Sequence, residues 1–212
     1  DNLPKDITFI EGSITDAELI DQLFEDYQFD HVFHLASYAA ENLSHYIRKF
    51  NYETNLIGSI NLINSSIRSG NVKRFVFTSS IAVYGSISPP MNENDSAIPE
   101  DPYGIAKLAI EQDLVAANSV FGLEYTIFRP HNVYGINQNL RDPYRNVIGI
   151  FMRQILNNEP MTIFGDGLQT RAFTCIDDIA PIIAESINVP ETVNQIFNIG
   201  SETFSTVKEI SK

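Results

Sequence analysis

Apolar residues along this chain follow two alternating rhythms. Short apolar runs bounded by polar or turn residues predict strands at Ile7–Glu11, His31–Ala36, Lys73–Ser79, Leu123–Phe128 and Gln195–Ile199. Between them, apolar positions recur at helical spacing. Thr15–Tyr27 predicts a helix capped by Thr15, and a longer stripe through Leu56, Ile60 and Ile63 runs to a stop at Gly70. Another stripe begins at Tyr103 and continues through Ala106, Ile110, Leu114 and Ala117. Strands and helices in alternation predict a parallel sheet with helices on both faces. The proline-bearing segment Gly85–Asp101 reads as a loop, with its acidic part Glu93–Glu100 as a solvated lid.

The second part is less regular. A polar loop over Pro130–Tyr144 leads to a helix at Asn146–Leu156. Met161–Phe164 and Arg171–Ile176 are expected to pair as strands around Asp166-Gly167. Asp177 or Asp178 would cap a helix to about Ile187, and a new helix starts near Thr206. The layout divides into residues 1–135 and 136–212. No Gly-x-Gly-x-x-Gly or Gly-x-x-Gly-x-x-Gly occurs among the eleven glycines. A doubly wound nucleotide-binding sheet opens with such a turn, so the expectation is a chain lacking one βαβ unit, about 30 residues or more, at its start.

Composition narrows the function class. A hydrophobic content of 43% with 19% charged residues is that of a globular protein. The net charge of −13 disfavours nucleic acid and anionic membranes as partners. One cysteine, Cys175, leaves no internal disulfide and fits a reducing, cytoplasmic compartment. His31 and His34 are three apart on a strand and face opposite ways, so no metal site is expected.

The candidate chemistry lies in Tyr103-Gly-Ile-Ala-Lys107, which follows a strand ending in Thr78-Ser79-Ser80. A Tyr-x-x-x-Lys spacing arises by chance about one time in four in a chain of this composition, so placement decides its meaning. Asp101 as N-cap and Pro102 as first helical residue put Tyr103 and Lys107 one turn apart at the start of a helix, on its apolar face. Thr78 and Ser79 read as structural, Tyr84 as packing. A free tyrosine has a pKa near 10, and acting as a base near neutrality requires a depression of about 3 units, about 4 kcal/mol. A lysine one turn away would favour the phenolate.

The chain resembles the extended short-chain dehydrogenase/reductases, specifically the NAD-dependent epimerase/dehydratase family typified by UDP-glucose 4-epimerase. The likeness rests on Phe9-Ile-Glu-Gly-Ser-Ile-Thr-Asp16, Val32-Phe-His-Leu-Ala-Ser37, Asn55-Leu-Ile-Gly58, Phe77-Thr-Ser-Ser-Ile-Ala-Val-Tyr-Gly85 and Asp101-Pro-Tyr-Gly-Ile-Ala-Lys107. Arg129-Pro-His-Asn-Val-Tyr-Gly135, Ile163-Phe-Gly-Asp-Gly167 and the run Arg171–Asp178 complete the series. The resemblance implies a Rossmann-like doubly wound parallel sheet, incomplete at its N-terminus, with part of a smaller α+β substrate-binding region. It implies NAD as cofactor and a nucleotide-diphosphate sugar, a UDP-hexose, as substrate. It also implies a homodimer.

By that resemblance Ser80, Tyr103 and Lys107 are catalytic. Cofactor contacts fall to Ser13, Ile14, Leu35, Ala36, Ser37, Thr54, Asn55, Tyr103, Lys107 and His131. Substrate contacts fall to Ser80, Tyr103, Asn132, Asn146, Val147, Thr162, Ile163, Phe164 and Arg171, with the guanidinium suited to a diphosphate. Departures from the family pattern are Ser13 in place of an aspartate, Ser37 in place of glycine or alanine, Ala39 in place of a polar or basic residue, and Ala172 in place of an acid.

The implied reaction is epimerisation through a transient 4-keto sugar, with Tyr103 as base and NAD unchanged overall. A dehydratase or decarboxylase is the near alternative, and a non-catalytic nucleotide-sugar-binding fragment the distant one. Ile81-Ala82 follows Ser80 where dehydratases place Asp-Glu, which favours the epimerase. No Gly-x-Ser-x-Gly elbow occurs, which disfavours a hydrolase.

Overall fold

The computed structural model describes residues 3–142 and 146–212. Four parallel strands form the central sheet in the order β1 (His31–His34), β2 (Arg74–Thr78), β3 (Tyr125–Pro130), β7 (Gln195–Ile199). Side chains alternate across β2, so Phe75 and Phe77 point to one face and Val76 to the other. The first face packs Ile63 of α4 (Gly58–Ser69) with Ile110, Leu114 and Ala117 of α5 (Pro102–Phe121). The second packs Val76, Phe128 and Ile199 against Ile179 and Ile183 of α7 (Ile176–Glu185). Helices therefore cover both faces, as the alternating pattern predicts. No helix among the described residues is long and apolar enough to cross a membrane.

The remaining elements are α1 (Ala17–Asp26), α2 (Glu41–Ser44), α3 (Arg48–Tyr52), β4 (Val133–Tyr134), α6 (Val147–Leu156), β5 (Thr170–Ala172), β6 (Thr174–Cys175), β8 (Phe204–Thr206) and α8 (Val207–Ile210). Between α3 and α4 the helix widens into one π-helical turn, Glu53–Ile57, before continuing to the left-handed Gly70. The sequence stripe through Leu56, Ile60 and Ile63 thus lies on one continuous helical run with a π-helical turn inside it.

Several expectations require correction. Ile7–Glu11 is not a strand: Phe9 is 62% exposed and no neighbouring strand supplies the ladder that would define one. Asp16, not Thr15, caps α1 by accepting from the Leu19 amide, while Thr15 bonds back to Ser13. Met161–Phe164 does not pair with the segment after Gly167. The Thr162 amide is taken by the Gln154 side chain, and β5 pairs instead with β8, antiparallel. The next strand, β6, pairs with β4 in parallel, inside what the sequence suggested was a polar loop; Tyr144, the end of that loop, lies outside the described residues. Asp177 and Asp178 do not cap α7 but sit in its first turn, where negative charge suits the helix dipole.

The acidic loop is not simply solvated. Arg129, in β3, donates from Nε to Glu111 Oε1 (3.0 Å) and from Nη2 to Glu111 Oε2 (2.6 Å). Both side chains are nearly solvent-free, at 4% and 3% exposure. Arg129 Nη1 also donates to the Tyr84 hydroxyl (2.7 Å), which donates to Asn198 Oδ1 (2.7 Å). The Asn198 amide in turn donates to Glu93 Oε1 (2.7 Å). One polar chain thus joins α5, β3, β7 and the loop after Ser80. Arg129→Met strands a buried carboxylate and is expected to cost about 3–5 kcal/mol in urea unfolding, most of it recovered in the double variant Arg129→Met/Glu111→Leu. An unchanged unfolding midpoint in the single variant would contradict this account of the pair.

Candidate active site

The carboxyl ends of β1 and β2 open on the side where doubly wound sheets take ligands. Chain leaving β2 passes Ser79 and Ser80 into a 3₁₀ turn, Ile81–Tyr84, capped by the Ser80 hydroxyl, which accepts from the Ala82 amide (3.1 Å). α5 starts against that turn. Asp101 caps it, accepting from the amides of Tyr103 (2.8 Å) and Gly104 (3.0 Å), with Pro102 at the first position. Gly104 permits the approach: a Cβ there would stand 2.6 Å from the Ala82 carbonyl oxygen. Tyr103 and Lys107 point inward, with 6% and 2% exposure.

Burial dominates the electrostatics. It pushes the Tyr103 phenol up to about 12, against hydrogen-bonding from the Ser80 and Ser37 hydroxyls, which favours the phenolate. The negative charges of Glu41 and Asp101 push it further up. Lys107 is pulled down to about 7 by burial, which the Glu111 carboxylate one turn on opposes. Its Nζ donates to the Thr78 carbonyl (2.7 Å) and lies 4.7 Å from the Phe77 ring centre. In this arrangement burial keeps the Tyr103 phenol high and weakens the Lys107 charge expected to favour the phenolate.

Ser37 is placed by Asn55. The Asn55 side chain, inside the π-helical turn, accepts from Ser37 Oγ (3.1 Å) and the Tyr38 amide (2.8 Å) and donates to the Tyr38 carbonyl (3.1 Å). Thr54 precedes it, half-buried. Leu35 and Ala36 lie exposed at the end of β1. Ser13 and Ile14 form the turn before α1, held on α4 by Asn61 Nδ2 donating to the Ile14 carbonyl (2.9 Å) and by Ile14 packing on Gly58. His131 is half-buried beside Gly200, and burial lowers its pKa.

The expected substrate residues are more dispersed. Asn132 adopts a left-handed backbone (φ 40°) and donates to the Ala172 carbonyl (2.9 Å). Asn146 caps α6, accepting from the Gly149 amide (3.1 Å) and donating to the Val133 carbonyl (2.6 Å); Val147 is the first helical residue. The Thr162 hydroxyl accepts from Gln154 (2.9 Å), Ile163 packs under Gly167, and Phe164 is exposed. Arg171 is exposed on β5, and its charge acts on Glu41. Ser37, Ser80, Tyr103 and Lys107 therefore converge, while Arg171 lies exposed on β5. Thr162–Phe164 and Asn146–Val147 make their contacts around α6 instead.

A family model for the NAD dependent epimerase/dehydratase family matches residues 1–200. The chain belongs to that family. It is 36% identical to a UDP-glucose 4-epimerase of Halalkalibacterium halodurans over 84% of this chain and 57% of that enzyme. The crystal structure of a Thermotoga maritima UDP-glucose 4-epimerase with UDP-glucose superposes with a TM-score of 0.91 at 34% identity, over 99% of this chain and 68% of that one. A Thermus thermophilus UDP-glucose 4-epimerase solved with NAD gives 0.89 at 27%, over 99% and 68%. A UDP-N-acetyl-alpha-D-glucosaminuronate decarboxylase of Bacillus cytotoxicus (31% identical, 100% of this chain, 66% of the enzyme) and a dTDP-D-glucose 4,6-dehydratase of Dictyostelium discoideum (30%, 92%, 46%) are also similar. The chain thus spans little more than half the length of some relatives, and the family includes three reaction types.

The residues present fit the family's NAD in part. Lys107 has three donors and, among the described residues, one acceptor, Thr78, and the buried Ser79 hydroxyl has none. Polar capacity is therefore left over beside Tyr103, next to the exposed end of β1. The glycine-rich turn that cradles a pyrophosphate is not in the sequence.

Glu41, Arg129, Glu111, Asn198 and Glu93 escaped the sequence reading. Glu111 carried one usable signal, since it continues the Tyr103–Lys107 spacing onto a buried face, where a charge requires a partner. Glu41 carried none.

The depressed lysine has a measurable consequence. An unfolded lysine titrates near 10.4. Between about 7 and that value the unfolded chain holds a proton that folded Lys107 does not, so stability rises with pH across this window. Lys107→Met is expected to remove that rise in denaturant titrations between pH 7 and 10. Parallel pH profiles for the two proteins would show that burial does not discharge the lysine.

Proposed function

We propose that these residues form the core of a nucleotide-sugar 4-epimerase acting on a UDP-hexose. The observation that carries the reading is the convergence of Ser80, Tyr103 and Lys107 at the open end of the sheet. Ile81 and Ala82 follow Ser80, so the turn offers no carboxylic acid for eliminating water, which favours epimerisation over dehydration.

In this reading Ser80 and Tyr103 hydrogen-bond the sugar O4, and Tyr103 takes its proton. Bound NAD would supply the hydride acceptor and donor at C4. A phenol held at about 12 requires about 7 kcal/mol of preferential stabilisation of its anion to ionise at neutrality. The Ser80 and Ser37 hydroxyls are already counted in that value, so further positive charge must supply it. Lys107, held in its charged form by cofactor hydroxyls, and the positive nicotinamide contribute that charge. Lys107 would bond the nicotinamide ribose through the donors that Thr78 does not use. Ser13, Ile14, Leu35, Ala36, Thr54, Asn55 and His131 would line the cofactor, with Asn55 acting chiefly by holding Ser37. Asn132, Asn146, Val147, Thr162, Ile163, Phe164 and Arg171 would line the nucleotide sugar. Residues 1–135 then hold the cofactor and, through Ser80, Tyr103 and Asn132, part of the sugar, while 136–212 supply the remaining substrate contacts, in a cytoplasmic homodimer.

A second reading is nucleotide-sugar binding without turnover. Tyr103→Phe separates the two. In the full natural chain it is expected to lower epimerisation by about 10²–10⁴-fold while UDP-sugar affinity stays within a few-fold. Undiminished turnover in Tyr103→Phe would exclude the tyrosine as base, and absence of turnover in the parent with intact UDP-sugar binding would favour the second reading.

A further inference from the structure

Tyr84 enters none of the chemistry above, and its place in the sequence suggests only packing. It is fully buried, yet its hydroxyl has two close partners, accepting from Arg129 Nη1 (2.7 Å) and donating to Asn198 Oδ1 (2.7 Å). The ring alone would fill the space; the two bonds also fix where its end lies. Tyr84 closes the 3₁₀ turn Ile81–Tyr84, and Ser80 caps the start of that turn. The Ser80 hydroxyl accepts from the Ala82 amide (3.1 Å), so it keeps its own proton to donate, and the position of that amide decides where the hydroxyl points. The turn has little hold on its own shape. Its backbone bonds, from the Val83 amide to the Ser80 carbonyl (3.2 Å) and from the Gly85 amide to the Ala82 carbonyl (3.3 Å), are long, as is usual for 3₁₀ geometry. It is held from outside instead, by the close approach of Gly104 to the Ala82 carbonyl and by the Tyr84 hydroxyl.

We propose that Tyr84 is a positioning residue for Ser80, whose clamped hydroxyl keeps the turn in the shape that aims the serine at the reacting sugar oxygen. The inference rests on the role given to Ser80 in the nucleotide-sugar reading above. Both partners of the hydroxyl are themselves immobilised. Arg129 is bound through its other nitrogens to Glu111. Asn198 donates from Nδ2 to the Met91 carbonyl (3.0 Å) and from its amide to Glu93 Oε1 (2.7 Å). The turn after β2 is thereby referenced to β3 and β7, the strands beside it in the sheet order. Without that reference Ser80 would stay in the site but lose its direction, and a misplacement of about 1 Å costs about 10²-fold in rate.

Tyr84→Phe removes the hydroxyl and keeps the ring, including its place 4.8 Å from the Arg129 guanidinium carbon. Arg129 retains Glu111, and half-buried Asn198 can take water on its freed oxygen, so the variant is expected to fold. The test is a double-mutant cycle in the NAD-loaded full natural chain, with kcat and KM for UDP-glucose measured for the parent, Tyr84→Phe, Ser80→Ala and the two combined. Tyr84→Phe should lower kcat about 10–100-fold with KM within about threefold. In the Ser80→Ala background it should change kcat by less than about threefold, because no hydroxyl remains to be aimed. Asn198→Ala, which takes the acceptor away and leaves Tyr84 in place, should repeat this pattern and replaces Tyr84→Phe in the cycle if that variant unfolds. An unchanged kcat, or an equal loss with and without Ser80, overturns the proposal. Full activity of Ser80→Ala, or no turnover by the parent, overturns the reading of Ser80 and this proposal with it, a pattern distinct from additive losses.

Discussion

The buried pair of Arg129 and Glu111 is the constraint on which the site geometry depends. Two ions removed from water cost several kcal/mol each unless their hydrogen-bonding capacity is met. Here both carboxylate oxygens receive guanidinium donors, and the third guanidinium nitrogen goes to Tyr84. Such a pair tolerates little displacement. It fixes the rotation of α5 about its axis, and with it the direction in which Tyr103 and Lys107 point, two and one turns earlier on the same stripe. Through Tyr84 it also fixes the 3₁₀ turn that begins at Ser80. The groups proposed as catalytic, on two elements, are thus registered against each other by a buried charge pair.

The same burial gives the site its incomplete electrostatics. The phenol, pushed up to about 12, is held neutral, and the ammonium, pulled down to about 7, loses much of its charge near neutrality. Neither is suited to proton abstraction as it stands. In the proposed mechanism, added positive charge and ribose hydroxyls would restore the ionised forms, which would couple base strength to cofactor occupancy. His34 shows the structural counterpart. Buried and lowered to about 3, it stays neutral, bonds Ser59 (2.7 Å), and packs on Phe77 without entering the chemistry.

Much of this was legible in the sequence because it depends on local rules. The sheet strands His31–His34, Arg74–Thr78, Tyr125–Pro130 and Gln195–Ile199 follow from runs of apolar residues, and Asp101-Pro102 fixes where α5 starts. What was not legible depends on partners distant in the chain. Ile7–Glu11 has strand composition but no neighbour to pair with among the described residues. Met161–Phe164 lost its amide to Gln154, and Thr170–Ala172 found a better edge at Phe204–Thr206. Asn146 caps α6 and holds Val133, contacts that its place in the sequence did not announce. Glu93 looked like a solvated acid because only the folded topology brings the Asn198 amide to it.

The account's central claim is that Tyr103 serves a hydride transfer at the sugar C4 that begins and ends on the same bound cofactor. The most direct measurement is the fate of deuterium at that carbon when the NAD-loaded full natural chain turns over UDP-[4-²H]glucose in ordinary water. Retention of the label at C4 in the epimerised product is the result the account requires. Loss of the label to solvent would mean that C4 is deprotonated rather than oxidised, and would contradict it.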